Sequence, residues 1–219
     1  MVNFHSLNSI IEDIMLTARD SNISESEQLS KAQVEQWIIG YRATLIKQDI
    51  DKGRDINPDY VQSIDNISIT NTDSSGSQMW IGNSMLYRSI IELPNGVDFH
   101  HDDSILSIKD SYGKYIQLTT EQRASLQQNR RYSNMDTVAY KKNKVLYLAG
   151  DDVVGPISIR MIAEDPMNRL FGLDADSRYP IPANMVPVLK DMILQKELNY
   201  RPSDQTNDSN DDTKNIKTK

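Results

Sequence analysis

Leu7, Ile10, Ile11, Ile14, Met15 and Ala18 recur at spacings of three and four, the period that gathers apolar side chains into one stripe of a helix. Ser6 stands where an N-cap belongs, and Asp20, Ser21 and Asn22 end the pattern. A second helix is predicted from Ser30, which forms a capping box with Gln33. Its stripe of Val34, Trp37, Ile38, Tyr41 and Leu45 runs to about Lys52, and Gly53 stops it. Lys31, Glu35, Arg42, Lys47 and Asp49 are read onto the opposite face, leaving one face for a partner and one for water. Joined by SNISESEQL, the two helices can pair as a hairpin. Asn57-Pro58-Asp59 predicts a third, short helical turn through Tyr60, Val61 and Ile64, with Pro58 in its first turn.

From residue 66 the pattern shortens to runs of period two or of β-branched character, broken by turn clusters such as NTDSSGSQ at 71–78. Strands are expected at 85–93, ended by Pro94-Asn95-Gly96, and at 157–163. One hairpin joins 105–108 to 115–118 through Asp110-Ser111-Tyr112-Gly113-Lys114; a second joins 137–140 to 145–149 through Lys141-Lys142-Asn143-Lys144. Between the hairpins, Thr119 and Gln122 offer a capping box for a short helix through Arg131, with Ala124 and Leu126 as its apolar content. Residues 164–180 carry no period and read as an irregular connection. Helical spacing returns over 181–198 in Met185, Val188, Leu189, Met192 and Ile193, with Pro187 in the first turn. After Tyr200 the sequence RPSDQTNDSNDDTKNIKTK is almost free of apolar residues, so it is expected to be disordered or to order only on another chain. The chain is thus expected to be α+β. A helical hairpin or bundle occupies 1–65 and a small, mainly antiparallel β module 66–163; a connection and C-terminal helix follow in 164–200, then a polar tail in 201–219.

Composition changes this picture in two ways. An apolar share of 38% over 219 residues fills one compact core thinly, which favours an extended shape or contacts with other subunits. The net charge of −7 opposes gripping nucleic acid, since neutralising phosphates needs a local excess of Lys and Arg. Basic residues do gather at Arg123, Arg130 and Arg131 and at Lys141, Lys142 and Lys144, with Tyr132 and Tyr140 beside them. The stretch 123–144 is therefore the place where nucleic acid could be touched. No run reaches the length of a membrane span, and MVNFHSLNSI lacks the pattern of a signal peptide; the expectation is a soluble protein made in the cytoplasm.

Candidate chemistry is sparse. The absence of cysteine removes thiolate metal sites, disulfides and thiol nucleophiles. His100, His101, Asp102 and Asp103 are ligand-type side chains, but neighbours in a strand point to opposite faces. A solvated loop is the expectation there, with a nucleic-acid-processing site as the alternative. LDADS, with Asp174 and Asp176, resembles the start of a calcium loop without its Gly or its final Glu. No nucleophile elbow or phosphate-binding glycine loop occurs. The chain is therefore expected to be neither an enzyme nor a cofactor-binding protein. Trp80 and Tyr87 add weaker interface candidates.

The order of these features resembles the head-to-tail connector, or portal-vertex ring, proteins of tailed bacteriophages, especially the crAss-like phages. Trp37, Ile38, Tyr41, Arg42, Leu45, Ile46, Lys47, Gln48 and Asp49 match the helical motif; Pro58 and Gln62 match the turn after it. Tyr179, Pro180, Ile181 and Pro182 match the helix opening, and Asp204, Asn207 and Asp208 the polar tail. The resemblance implies a structural virion protein. It would form a homo-oligomeric ring of twelve copies beneath the portal, surround the passage of double-stranded DNA and link to other ring or tail proteins. Val34, Trp37, Ile38, Tyr41, Leu45, Tyr179, Ile181, Asp204 and Asn207 are the expected interface residues, and the tail is a docking strap.

Overall fold

The structure is a computed structural model that describes residues 5–20, 29–100, 103–129, 136–151, 153 and 155–198. Ser6 opens α1 (Leu7–Asp20), its hydroxyl accepting the Ser9 N–H at 3.2 Å. Ser30 does the same for α2 (Lys31–Asp51) through the Gln33 N–H at 3.2 Å, and Gly53, at φ +74°, takes the left-handed conformation that ends the helix. Near the other end of the chain, a 3₁₀ turn at Ala183–Met185 leads into α4 (Val186–Lys196), with Pro187 in its first turn. The three helices share one apolar core, in which Ile10 and Ile14 of α1 meet Val34 and Ile38 of α2 and Leu189 and Ile193 of α4. The chain's last helix thus completes the layer begun by its first two, and Lys190 ties α4 to Asp13 of α1.

The strands are β1 (Gln62–Ile67), β2 (Ile69–Thr70), β3 (Trp80–Ile81), β4 (Ser84–Ser89), β5 (Ile105–Lys109), β6 (Tyr115–Leu118), β7 (Val138–Lys142), β8 (Val145–Ala149) and β9 (Ile157–Met161). They form one nine-stranded sheet in the order β1-β9-β5-β6-β7-β8-β4-β2, with β3 paired on β4. Each pairing is antiparallel except β6 with β7, which α3 (Glu121–Asn129) connects. The two ends of this order, β1 and β2, are separated in the chain by Ser68 alone. Asn66 at φ +58° and a register slip between Ile64 and Ile67 turn that corner. One bent run of chain thereby borders both margins of the sheet, which curls into a nearly closed barrel. Ile64, Ile67, Ile108, Leu146, Leu148 and Ile159 fill its interior.

The strand expected over 85–93 stops at Ser89, and three further details depart from the expected elements. The helical turn at Pro58 stops at Tyr60 as a 3₁₀ turn, and the chain becomes strand at Gln62. Gln62 and Ile64 point inward while Ser63 and Asp65 point out, a period of two too short to stand out beside a Pro-led turn. The cap of α3 is Thr120, which accepts from the Arg123 N–H; Thr119 still belongs to the sheet, donating its N–H to Ala139 O at 2.7 Å. The two-residue strands β2 and β3 are too short to carry any periodicity of their own.

Candidate functional site

The expected interface stripe of α2 turns inward. Val34 and Ile38 are fully buried, Leu45 nearly so, and Tyr179 and Ile181 join them in the core shared with α1 and α4. The partner of this stripe is therefore the chain's own first and last helices, and Trp37 and Tyr41 are the two that keep partial exposure. Tyr41 donates its hydroxyl to Glu197 at 2.6 Å, a bond that, with burial, pushes the phenol up to about 12. Asp204 and Asn207 lie outside the described residues.

Arg42 is the larger correction. Expected on the solvent face, it is fully buried. The helical period explains why: Arg42 follows Ile38 by four residues and precedes Leu45 and Ile46 by three and four, so it shares their face. Its guanidinium donates through Nε to Pro180 O at 2.9 Å, through Nη1 to Ala163 O at 2.8 Å and through Nη2 to Tyr60 O at 3.4 Å. It also stands over the Tyr179 ring, 5.9 Å from the centroid. Among the described residues no carboxylate lies within ion-pair distance of it. Burial lowers its pKa from the usual arginine value, while the nearby Tyr179 and Asp165 oppose that shift.

The carbonyls that Arg42 holds come from three separate places: the turn before β1, the exit of β9 and the entry to α4. Gln62 reinforces the same point, its Nε2 donating to Tyr60 O at 2.7 Å and its Oε1 accepting the Ala163 N–H at 3.0 Å. Tyr60 in turn donates its hydroxyl to Asp49 of α2 at 2.9 Å, and Asp49 pairs with Arg54 at 2.7 Å. Burial and then the bond to Asp49 push the Tyr60 phenol up; burial does the same for Tyr179, whose hydroxyl has no hydrogen-bond partner among the described residues. Arg42, Asp49, Pro58, Gln62, Tyr179 and Pro180, distant in sequence, converge on this joint between the helical layer and the barrel. They are six of the residues that carry the resemblance to portal-vertex ring proteins. The arrangement holds a cation on backbone dipoles; its chemistry is mechanical, fixing two layers in one relative position.

The family model described as phage tail ring protein 2, of the crAss group, matches residues 9–213. This chain belongs to that family. The match takes in the helical layer, the joint and the barrel together, and it makes the ring protein a component of a bacteriophage virion. No curated protein matches the chain.

The other candidates fall at separate places on this ring protein. In the stretch 123–144, Lys142 is paired with Glu121 at 2.8 Å, while Lys144 lines a cleft with Glu92, Glu164 and Asp165. Arg123 is exposed on α3, and Arg130, Arg131 and Tyr132 lie outside the described residues. His101 and Asp102 also lie outside the described residues; His100 is exposed, its N–H 3.5 Å from Asp51 Oδ1. Among the described residues, no group of three or more His, Asp or Glu side chains could hold a metal ion. The LDADS turn clasps α1: Asn8 donates its N–H to Ala175 O at 3.3 Å and its Nδ2 to Asp176 at 2.7 Å. Trp80 is exposed, Tyr87 half-buried against the barrel core. No helix among the described residues is long and apolar enough to cross a membrane.

Proposed function

We propose that the chain is a non-catalytic structural subunit of a twelve-membered ring at the head–tail junction of a crAss-like phage, beneath the portal and around the DNA channel. The observation that carries this reading is the family match over 9–213, which spans both layers and the joint that fixes them. A ring under the pressure of packaged DNA needs subunits whose parts do not shift against one another, and a buried guanidinium bonded to three chain segments supplies that rigidity. The net charge of −7 supports the second half of the proposal, because an acidic wall repels phosphate and lets the duplex slide. Portal and tail proteins are the neighbours in this reading. Cryo-electron microscopy of purified virions tests this: a twelve-fold ring of this chain is expected between portal and tail. Its absence from the particle, or a position away from the channel, would overturn the proposal.

A further inference from the structure

The tip of the β5–β6 hairpin combines exposure with rigidity. Tyr112 is 80% exposed and Tyr115 66%, more than any other large apolar side chain among the described residues. The turn beneath them is tightly built: the Asp110 carboxylate accepts the N–H groups of Tyr112 and Lys114, each at 2.9 Å. Gly113, at φ +82°, donates its N–H to Asp110 O. Ser111 packs against Gly155, where a Cβ would stand 2.9 Å from its hydroxyl oxygen. Aromatic side chains held outward on an ordered turn lose little conformational freedom on docking, which is the property of interface anchors. Lys109, whose Nζ stands 4.6 Å from the Tyr115 ring centroid, and Lys114 outweigh Asp110 and leave the knob with a net positive charge.

A ring built from identical chains joins two different faces of each copy. In a chain of net charge −7, a cationic knob meets the opposite sign on another copy of itself. The concave counterpart lies at the other end of β9. The knob stands beside the start of that strand, where Lys109 pairs with Ser158. Beyond its end, Glu92, Glu164 and Asp165 line a cleft of about 290 Å³ together with Pro94 and Lys144, so three carboxylates outnumber one ammonium there. Convex and basic at one end, concave and acidic at the other, β9 has the polarity of a head-to-tail contact.

We propose that the Tyr112–Tyr115 tip is a contact face for a second copy of this chain and seats in the Glu92, Glu164 and Asp165 cleft of the next subunit. This rests on the ring reading above. The full-length chain is tested by analytical ultracentrifugation across a concentration series, with circular dichroism as the control for folding. Wild type is expected to assemble, and Tyr112→Ala/Tyr115→Ala to self-associate at least about thirtyfold more weakly. Leu16→Ala, on α1, should assemble as wild type does. Lys114→Glu and Glu164→Lys should each weaken assembly, and their combination should restore it. A photo-crosslinker at position 112 should capture a peptide from 92–95 or 164–168 of another copy. Assembly of the double-tyrosine variant as strong as wild type would overturn the inference and leave the ring reading standing. Capture of DNA alone would also overturn it. A wild-type chain that stays monomeric throughout the series, with no capture, would count against both.

Discussion

Arg42 replaced by Ala strands the buried carbonyl of Ala163 and the part-buried carbonyl of Pro180. At roughly 1–3 kcal/mol for an unsatisfied buried group and less for a part-buried one, Arg42→Ala should cost about 2–3 kcal/mol. Arg42→Lys should recover part of that, because an ammonium on a flexible stem reaches one carbonyl well but cannot span three segments with a planar fork. Urea denaturation of the two variants measures both values; equal stability of Arg42→Ala and wild type would remove the joint from the account. The tyrosines give a second, independent reading. Tyr41 and Tyr140 are pushed up to about 12, the first by its bond to Glu197, the second by burial; Tyr60 and Tyr179 are raised as well. Between pH 10 and 12 the unfolded chain has released these phenolic protons while the folded chain still holds them, so stability falls as pH rises through that window. Below pH 10 both states are protonated and the effect vanishes. An ultraviolet titration should show four of the ten tyrosines ionising late, together with unfolding. At this scale the sequence was legible by period and misread by charge: the spacing of Ile38, Arg42, Leu45 and Ile46 put Arg42 on the buried face, and its guanidinium argued it off again. What sequence could not supply is the set of carbonyls that satisfies it, because they come from segments 18, 121 and 138 residues away.

Elements with local causes were readable, since caps, turn residues and apolar spacing all lie within a few positions of each other. The Ser6 and Ser30 caps, the stop at Gly53 and both hairpins belong to this class. Elements defined by distant partners were not: β2 and β3 exist because β4 offers them hydrogen bonds, and the closing of the sheet depends on Ser68 linking its two margins. Two glycines separate local from distant causes experimentally. Gly40 sits inside α2 with nothing within 4 Å of the place a Cβ would occupy, so Gly40→Ala should stabilise the chain by about 0.5–1 kcal/mol through lower backbone entropy of the unfolded state. At Gly96, bridged to Ala163, a Cβ would fall 1.9 Å from the Ser104 hydroxyl oxygen and 2.3 Å from its Cβ. Gly96→Ala should therefore destabilise by about 1–3 kcal/mol, the usual cost of overpacking. Thermal melts of the two variants should move in opposite directions, the first up and the second down.

The helical layer and the barrel have separate apolar cores, yet the chain weaves them together: α1 and α2 precede the sheet, α4 follows it, and the joint ties all three passages. Whether the two layers unfold as one unit is then a question about Arg42, because its bonds are the ones shared by the turn before β1, the exit of β9 and the entry to α4. The two tryptophans make the question measurable, with Trp37 on α2 in the helical layer and Trp80 on β3 in the sheet. Trp80→Phe leaves a reporter of the helices and Trp37→Phe a reporter of the barrel. In the otherwise wild-type chain the two fluorescence transitions in urea should coincide, the signature of a single cooperative unit. With Arg42→Ala added, the curves should separate, and the helical layer should melt first, because its core draws on three helices without a hydrogen-bonded sheet to hold them. Coincident curves in both backgrounds would mean that the apolar contacts alone, such as Ile46 and Tyr60 with Ile162, carry the coupling. Separation in both would mean that the layers are independent even with Arg42 present. A ring subunit that transmits load from one neighbour to the next is served by the first outcome, since a force applied to either layer then reaches the other without a hinge between them.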